Sequence, residues 1–145
     1  MRLASFTDYS LRVLIYLALK EDERSTVSEI ADKYQISKNH LVKVVHNLSS
    51  MGMINSFKGK GGGLTLSQKP EKIIIGHLIK KLENESHLVE CFSPSGNCII
   101  NPTCQLKKAL ALAEKNFYNT LNEFTLADIT LNRSNLKNVL SLNVF

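Results

Sequence analysis

The sequence predicts a mainly α-helical protein with one small β-hairpin, for three reasons. Apolar residues recur at helical spacing through the first third of the chain, two β-like runs then flank a glycine-rich stretch, and a second long helical pattern follows a loop that holds every cysteine. Two short helices followed by a hairpin are the layout of a winged helix-turn-helix. We therefore expect a winged helix-turn-helix domain joined to a long helix.

The first predicted helix runs from Thr7 to Lys20 and is apolar on most sides. Such a helix must be covered from more than one direction. Because Asp8, Arg12 and Tyr16 interrupt its apolar part and no small-residue cleavage site follows, we interpret it as a folded helix rather than a secretory signal. No apolar run approaches the roughly 18–20 residues of a membrane span, so we expect a cytoplasmic protein with no membrane partner.

The helix-turn-helix is predicted between residues 26 and 51. Thr26 and Glu29 have capping-box spacing at the start of its first helix. Ser37 is a good N-cap for the second helix, which ends before Gly52. The apolar stripe of the second helix contains Leu41, Val44, Val45, Leu48 and Met51. This stripe predicts which face of the second helix is buried.

Residues near the start of the second helix are candidates for DNA contact, because this part of a helix-turn-helix reaches base edges in the major groove. They are Ser37, Lys38, Asn39, His40 and Lys43. Asn39 can pair bidentately with adenine, and Lys38 can pair with guanine. Ser37 and Lys43 suit phosphate oxygens. Taken alone, the same residues also fit a solvated polar helix face.

The predicted hairpin, or wing, pairs Met53–Phe57 with Leu64–Leu66 around a glycine-rich turn. Glycine supplies positive φ angles and lets the turn approach another surface closely. Lys58 and Lys60 in this turn suit phosphate or minor-groove contact, although an ordinary glycine turn has the same appearance. The net charge of +5 and the pI near 9.2 favour a polyanionic partner. In this order, the features predict a DNA-binding winged helix over residues 1–83.

The second helical pattern predicts a long helix from Pro102 to Phe124, with Asn101 as its N-cap. At 1.5 Å per residue it would span roughly 34 Å, which is too long for a small winged domain to cover. Its apolar stripe is therefore expected to meet a copy of itself in a homodimer. Residues 102–131, including a final turn from Thr125, form this dimerisation segment, and the tail, residues 132–145, is expected to be weakly ordered.

All three cysteines, Cys91, Cys98 and Cys104, fall within fourteen positions of a predicted loop over residues 84–104. Two prolines and a glycine in this loop permit the sharp turns that would point three side chains at one centre. Cys104 is expected at the third position of the long helix, where the helix dipole favours thiolate. An odd number of cysteines excludes a complete disulfide framework, and the expected compartment is reducing.

Three kinds of site fit these thiols. Thiolates on a loop are what an iron–sulfur cluster requires. A Cys₃His zinc site completed by His77 or His87 is the second kind, although the close cysteine pair typical of zinc motifs is missing. Metal-free thiols, buried or forming a regulatory disulfide with one spare, are the third. An enzyme is disfavoured because the chain lacks a CxxC pair, a Ser/His/Asp-like set and a cofactor fingerprint.

Several stretches resemble one known family, the dimeric winged-helix iron–sulfur repressors. They are SFTDYSLRVLIYLA at the start, ISKNHLVKVVHNLSSMGMI across the second helix of the helix-turn-helix, KGKGGGLTL in the hairpin, the three cysteines, CQLKKAL, and FTLADI near the end. The likeness covers roughly residues 1–130. IscR-type members carry a histidine three residues after the last cysteine, where this chain has Lys107. The sequence therefore resembles the nitric-oxide-sensing, NsrR-like branch.

The resemblance implies an iron–sulfur cluster, [4Fe–4S] rather than [2Fe–2S], held by Cys91, Cys98 and Cys104 and by Asp8 of the partner subunit. Arg12, on the same helix face as Asp8, would balance the charge of carboxylate and cluster. Asp8 is otherwise suited to capping the first helix turn.

The resemblance also implies a homodimeric repressor that binds near-palindromic double-stranded operator DNA and releases it when nitric oxide destroys the cluster. A regulator of the same family that senses iron or cluster supply, and a thiol or zinc redox protein, are the alternatives.

Overall fold

The structure is a computed structural model that describes residues 2–83 and 87–142. The remaining residues, 1, 84–86 and 143–145, belong to the predicted winged domain, cysteine loop and tail respectively and lie outside this description. The helices are α1 (Ser5–Lys20), α2 (Val27–Tyr34), α3 (Lys38–Ser50), α4 (Ile75–Leu82), α5 (Gln105–Leu121), α6 (Leu126–Ile129) and α7 (Arg133–Val139). Strands β1 (Ile54–Phe57) and β2 (Gly63–Leu66) form the antiparallel hairpin. The predicted mainly α-helical class with one hairpin is confirmed.

Helix α1 lies at the centre of the core, as its apolar composition predicts. It contacts α2, α3, α4, α6, α7 and β2. Its buried side chains are Thr7, Ser10, Val13, Leu14, Tyr16, Leu17, Ala18 and Leu19. A helix buried on so many sides fixes the positions of all the elements around it.

The helix-turn-helix forms where its capping signals predict. The Thr26 hydroxyl accepts the Glu29 N–H at 3.1 Å, and the Glu29 carboxylate accepts the Thr26 N–H at 3.4 Å. The left-handed conformation of Gln35, with φ at 53°, ends α2 and allows the tight turn into α3. Ser37 precedes α3 as predicted but makes no side-chain capping bond. The buried residues of α3 are Leu41, Val44, Val45 and Leu48.

The wing is attached to the chain segment that precedes α2. Ser25 donates its N–H to the Leu64 carbonyl at 3.1 Å, and Leu64 donates to the Ser25 carbonyl at 2.8 Å. Gly63, opposite Phe57 in the hairpin, passes close to this segment: a Cβ there would lie 3.0 Å from the Cβ of Arg24. The wing therefore has a fixed position relative to the helix-turn-helix.

The start of α5 differs from the prediction. Asn101–Thr103 forms a separate 3₁₀ turn, and α5 begins at Gln105 with Cys104 as its N-cap. The asparagine–proline signal at Asn101 thus starts the turn that leads into the helix, not the helix itself. The helix also ends at Leu121 instead of Phe124.

The expectation of a weakly ordered tail is wrong for residues 132–142. Arg133 donates to the Ala18 carbonyl at 3.0 Å and to the Glu21 carboxylate at 2.7 Å, both at the end of α1. Lys33 of α2 donates to the Ser141 carbonyl at 2.9 Å. Leu142 is buried. These contacts fix α7 against the helix-turn-helix. None of the helices within the described residues has both the length and the apolar character needed to cross a membrane.

Candidate nucleic-acid interface and metal centre

The predicted DNA-contacting residues of α3 lie together on the protein surface. Ser37, Lys38, Asn39, His40 and Lys43 are all exposed, because the opposite face of α3 is held in the core. The helix sequence contains no acidic residue that would repel phosphates. The start of α3 is thus available to enter a DNA groove as predicted.

His40 differs from its neighbours because it also contacts α1. Its ring stacks on that of Tyr9, with centroids 6.4 Å apart and planes inclined by 25°. The two rings line an open, mostly apolar cavity of about 260 Å³ together with Phe6 and Lys43. His40 therefore connects the exposed start of α3 to the N-terminal half of α1, the half that contains Asp8.

The wing is supported by a residue from outside it that the sequence did not indicate. Lys58 and Lys60 are exposed, as predicted. Arg24, from the segment before α2, places its guanidinium carbon 4.0 Å from the centroid of the Phe57 ring and donates to the Gly61 carbonyl at 2.8 Å. Arg24 therefore supports the turn of the wing and adds a third positive charge beside the two lysines.

The three cysteines are free thiols on one loop of short turns. Cys91 lies in the 3₁₀ turn Glu90–Phe92 and is half-buried, and Cys98 is exposed. A Cβ at Gly96 would lie 3.0 Å from the Cα of Cys91, so only glycine lets the loop fold back onto that residue.

Cys104 occupies the N-cap of α5 rather than the predicted third helical position. Its sulfur accepts the Lys107 N–H at 3.3 Å. Lys107, at the position of the IscR-type histidine, directs its ammonium group away to the Asn101 side chain, 2.6 Å from Oδ1. This sulfur therefore lies at the N-terminus of a 17-residue helix and accepts one of the backbone N–H groups that have no partner within the helix.

The thiols fit a soft metal centre in chemistry but are not gathered around one. Within residues 2–83 and 87–142, no three His, Cys, Asp or Glu side chains lie close enough together to hold a metal ion. Reduced cysteines on a single loop, one of them at a helix N-terminus, are nevertheless the donors that iron–sulfur clusters use. The donor set fits, and the predicted convergence of Cys91, Cys98 and Cys104 on one centre stays a prediction.

Asp8 pairs with Arg12 on α1. The two side chains form a bidentate ion pair, with Nη2 2.7 Å from Oδ2 and Nε 3.3 Å from Oδ1. The Arg12 guanidinium also lies 5.7 Å from the ring centroid of Tyr9 and 5.9 Å from that of Tyr34. The predicted partnership of Asp8 and Arg12 is thus present, and Asp8 uses its carboxylate for Arg12 rather than for the alternative capping role.

Tyr34, beside Arg12, and Tyr16, which packs edge-on against Tyr34, remain neutral at physiological pH. Burial raises the pKa of Tyr34 to about 12, although the Arg12 guanidinium acts in the opposite direction. The pKa of Tyr16 is raised too, by burial and by its hydrogen bond to Glu29, whose carboxylate accepts the phenol proton at 2.7 Å. Tyr34 therefore presents an uncharged ring to Arg12.

Helix α5 presents its apolar residues to solvent. In the described part of a single chain none of its side chains is buried. Leu106 is 65% exposed, and Ile99 in the cysteine loop is 95% exposed. The other members of the apolar stripe predicted over Pro102–Phe124 are Ala109, Leu110, Ala113, Phe117, Leu121 and, just beyond the helix, Phe124, all exposed or half-buried. This exposed apolar face is suited to contact with a second protein surface.

Comparison with known proteins places these features in one family. Residues 3–132 match the Rrf2 family, described as an iron-dependent transcriptional regulator. A relative from Shouchella clausii is 45% identical over 142 residues, which are 97% of this chain and 95% of the relative. A relative from Bacillus subtilis is 41% identical over 144 residues, 98% of this chain and 99% of the relative. Both are named HTH-type transcriptional regulator NsrR.

Solved structures with the same fold include further regulators. T. potens IscR superposes with a TM-score of 0.73 at 20% identity, covering 91% of this chain and 88% of that one. The oxidised form of Staphylococcus aureus CymR superposes with a TM-score of 0.69 at 27% identity, covering 89% of this chain and 95% of that one. These comparisons confirm the winged-helix prediction and the prediction of a transcriptional regulator instead of an enzyme.

Proposed function

This chain belongs to the Rrf2 family of transcriptional regulators, and on that premise we propose that it is a homodimeric repressor whose iron–sulfur cluster senses nitric oxide. One observation carries the proposal: the same chain combines an exposed helix-turn-helix with three free thiols on a loop beside an uncovered helix, α5. The relatives named NsrR over nearly the whole chain support this reading of the thiols.

DNA binding is assigned to the start of α3 and to the wing. In this proposal Asn39 and Lys38 read base edges in the major groove, and Lys58 and Lys60 neutralise phosphates; the exposure of all four residues supports it. Two copies related by a two-fold axis through α5 would present two α3 helices to a near-palindromic operator, with half-sites one helical turn, or a multiple of it, apart.

The metal centre is assigned to Cys91, Cys98 and Cys104 of one subunit together with Asp8 of the partner subunit. When bound, a [4Fe–4S] cluster supplies an iron that nitric oxide can attack. A carboxylate is a hard ligand and a poor match for sulfide-bridged iron, so Asp8 is the donor most easily lost. Arg12, already paired with Asp8 in the single chain, then retains the carboxylate within its own helix.

The loss of Asp8 from the site would act on DNA binding through α1. Tyr9, the next residue, stacks on His40 at the start of α3. A change in the position of α1 relative to the partner subunit therefore alters the spacing of the two α3 helices. The operator fits one spacing and not the other, which makes the metal centre a ligand that biases a two-state equilibrium.

The test is anaerobic purification followed by measurement of iron and sulfide per chain, the absorption spectrum, and operator affinity by fluorescence anisotropy. We expect a coloured dimer whose affinity falls when nitric oxide is added in stoichiometric amounts. Colourless, iron-free protein that binds its operator fully and ignores nitric oxide would contradict the proposal.

A second candidate, a sensor of iron or cluster supply, is favoured by the family's description as iron-dependent. The two candidates differ in their response to an iron chelator. If nitric oxide releases DNA at a stoichiometry near one per cluster while a mild chelator does not, the sensor responds to nitric oxide. If the chelator releases DNA equally readily, the sensor responds to the supply of iron or clusters.

A metal-free thiol switch would instead be recognised by redox-dependent DNA binding that persists in an Asp8→Ala variant.

A further inference from the structure

One apolar side chain lies on the exposed face of α3, among the polar residues assigned to DNA contact. Val42 is 49% exposed and does not belong to the apolar core that the described residues form. It follows Lys38 by four positions and Asn39 by three. Around the helix axis these spacings place Val42 about 40° from Lys38 and about 60° from Asn39. Val42 therefore lies between the two residues assigned to base edges.

Neither packing nor helix propensity explains a valine at this position. The side chains by which α3 enters the core lie on its opposite face and are Leu41, Val44, Val45 and Leu48. A β-branched residue on an exposed helix surface is less favourable than alanine, because the helix restricts its side-chain rotation. What Val42 adds is a pair of methyl groups on an otherwise polar, DNA-facing surface.

Thymine is the base that offers an apolar group to such a surface. Its 5-methyl group projects into the major groove, where apolar side chains recognise it by contact. Asn39 and Val42 are about 4.5 Å apart along the helix axis, and successive base pairs are about 3.4 Å apart. When Asn39 lies against an adenine, Val42 thus lies about one base pair away.

We infer that Val42 is a specificity-determining residue that recognises the methyl group of a thymine within about one base pair of the adenine read by Asn39. The inference rests on the proposed function, because it requires α3 to enter the major groove. Burial of one methyl group corresponds to about a fourfold change in affinity for each half-site. Since the contact carries no charge, its contribution should not depend on salt.

The test uses DNA in which single methyl groups are removed. The probe is the double-stranded sequence that the metal-loaded wild-type dimer selects from a randomised pool, and each thymine in it is replaced in turn by deoxyuridine. Deoxyuridine pairs with adenine as thymine does and lacks only the 5-methyl group. Fluorescence anisotropy should show one thymine in each half-site whose replacement weakens binding about fourfold. This thymine should lie within about one base pair of the position at which Asn39→Ala relaxes the base preference.

Two substitutions on α3 separate methyl recognition from a general loss of affinity. Val42→Ala should bind the thymine probe about fourfold more weakly for each half-site, and deoxyuridine at the sensitive position should then cost nothing further. Lys43→Ala is the matched control, because it removes a residue assigned to phosphate contact from the next position of the helix. It should weaken binding to every probe and keep the full deoxyuridine penalty.

Thermal unfolding of the same variants distinguishes recognition from a structural role. Val42→Ala should unfold at the same temperature as the wild type or slightly higher, because alanine is the better helix former. A clear loss of stability in Val42→Ala would overturn the inference. Equal deoxyuridine penalties in wild type and Val42→Ala, or a selected sequence with no thymine at the expected place, would also overturn it while leaving the proposed function standing. A metal-loaded dimer that selects no sequence from the pool would instead contradict the proposed function.

Discussion

The winged helix-turn-helix and the region formed by the cysteine loop and α5 differ in how complete they are within one chain. In the first, α1 and α3 bury eight and four side chains respectively, and hydrogen bonds fix the wing in place. In the second, α5 buries none of its 17 side chains in the described chain. The first region is complete within one chain, whereas the second leaves an apolar helix face exposed.

The difference between the two regions corresponds to the two tasks proposed for the protein, DNA readout and sensing. A complete core lets the exposed face of α3 keep one shape, as DNA readout requires. Under the proposed function, the second region, with its uncovered helix and free thiols, depends on a second subunit and a metal centre, which suits a sensor. Both tasks involve the N-terminal half of α1: Tyr9 stacks on His40 at the start of α3, and Asp8, which pairs with Arg12, is the carboxylate that the proposed function assigns to the metal centre.

The largest expected effect compares two leucines, one from each region. Leu17→Ala, at a fully buried position of α1, should lower the free energy of unfolding by about 3 kcal/mol. Leu106→Ala, in the exposed stripe of α5, should change the free energy of unfolding of a monomer by less than about 0.5 kcal/mol, but it should weaken self-association. Urea unfolding and sedimentation equilibrium at matched concentrations measure both. Equal destabilisation by the two substitutions would contradict the claimed difference between the two regions.

A smaller effect is expected from DNA contacts in the complete region. Asn39→Ala should cost about 1–3 kcal/mol of operator binding and relax the preference at one base pair. Lys60→Ala should weaken binding to all sequences and reduce the salt dependence by about one counterion. Anisotropy titrations over a range of salt concentrations distinguish the two. If Asn39→Ala lowered the affinity for all DNA sequences equally, with no change in base preference, Asn39 would not read a base.

Replacing Arg24, which supports the wing, should have a smaller effect on DNA binding. Arg24→Ala loses the contact with Phe57 and the bond to Gly61, so we expect DNA binding to weaken by about 1 kcal/mol while the overall fold is retained. Arg24→Lys keeps the charge but cannot stack in the same way, and should recover only part of the loss. Full recovery by lysine would mean that the charge alone matters.

The smallest expected effect at neutral pH concerns Tyr34, whose ring lies beside Arg12 and whose ionisation affects stability only in alkaline solution. Folding raises the pKa of Tyr34 from 10.0 to about 12, so its contribution to stability is complete below pH 10 and is lost as the pH rises from 10 to 12. Melting temperatures should fall over this range, and Tyr34→Phe should flatten the fall because no phenol is left to ionise. An unchanged slope in Tyr34→Phe would assign the alkaline loss to other groups.

Local signals in the sequence predicted most of the winged region. Thr26 and Glu29 form a capping box because its partners are three residues apart, and the α3 stripe is buried because its period is that of a helix. The contacts of Arg24 with Gly61 and of Glu83 with Ala4 join residues 37 and 79 positions apart. No spacing rule within one segment indicates such pairs.

Two incorrect predictions, the start of α5 and the weakly ordered tail, have the same origin. The Asn101–Pro102 signal starts a short 3₁₀ turn, because local propensity does not determine how far a helix extends. The tail lacks a clear pattern, yet Arg133 and Leu142 secure it to distant parts of the chain. The candidate donors, three thiols and a carboxylate, were predictable from the sequence, but under the proposed function their assembly into one site depends on a second chain.

The most direct test of the account is a mixed dimer of two differently tagged chains. One chain carries Asp8→Ala and keeps its cysteines, and the other carries Cys98→Ala and keeps Asp8. If the carboxylate comes from the partner, the mixed dimer contains one intact site and should hold one chelator-resistant cluster by iron and sulfide analysis, while both parent homodimers hold none. A mixed dimer without such a cluster, or an Asp8→Ala homodimer that keeps two, would contradict a metal centre completed across the subunit interface.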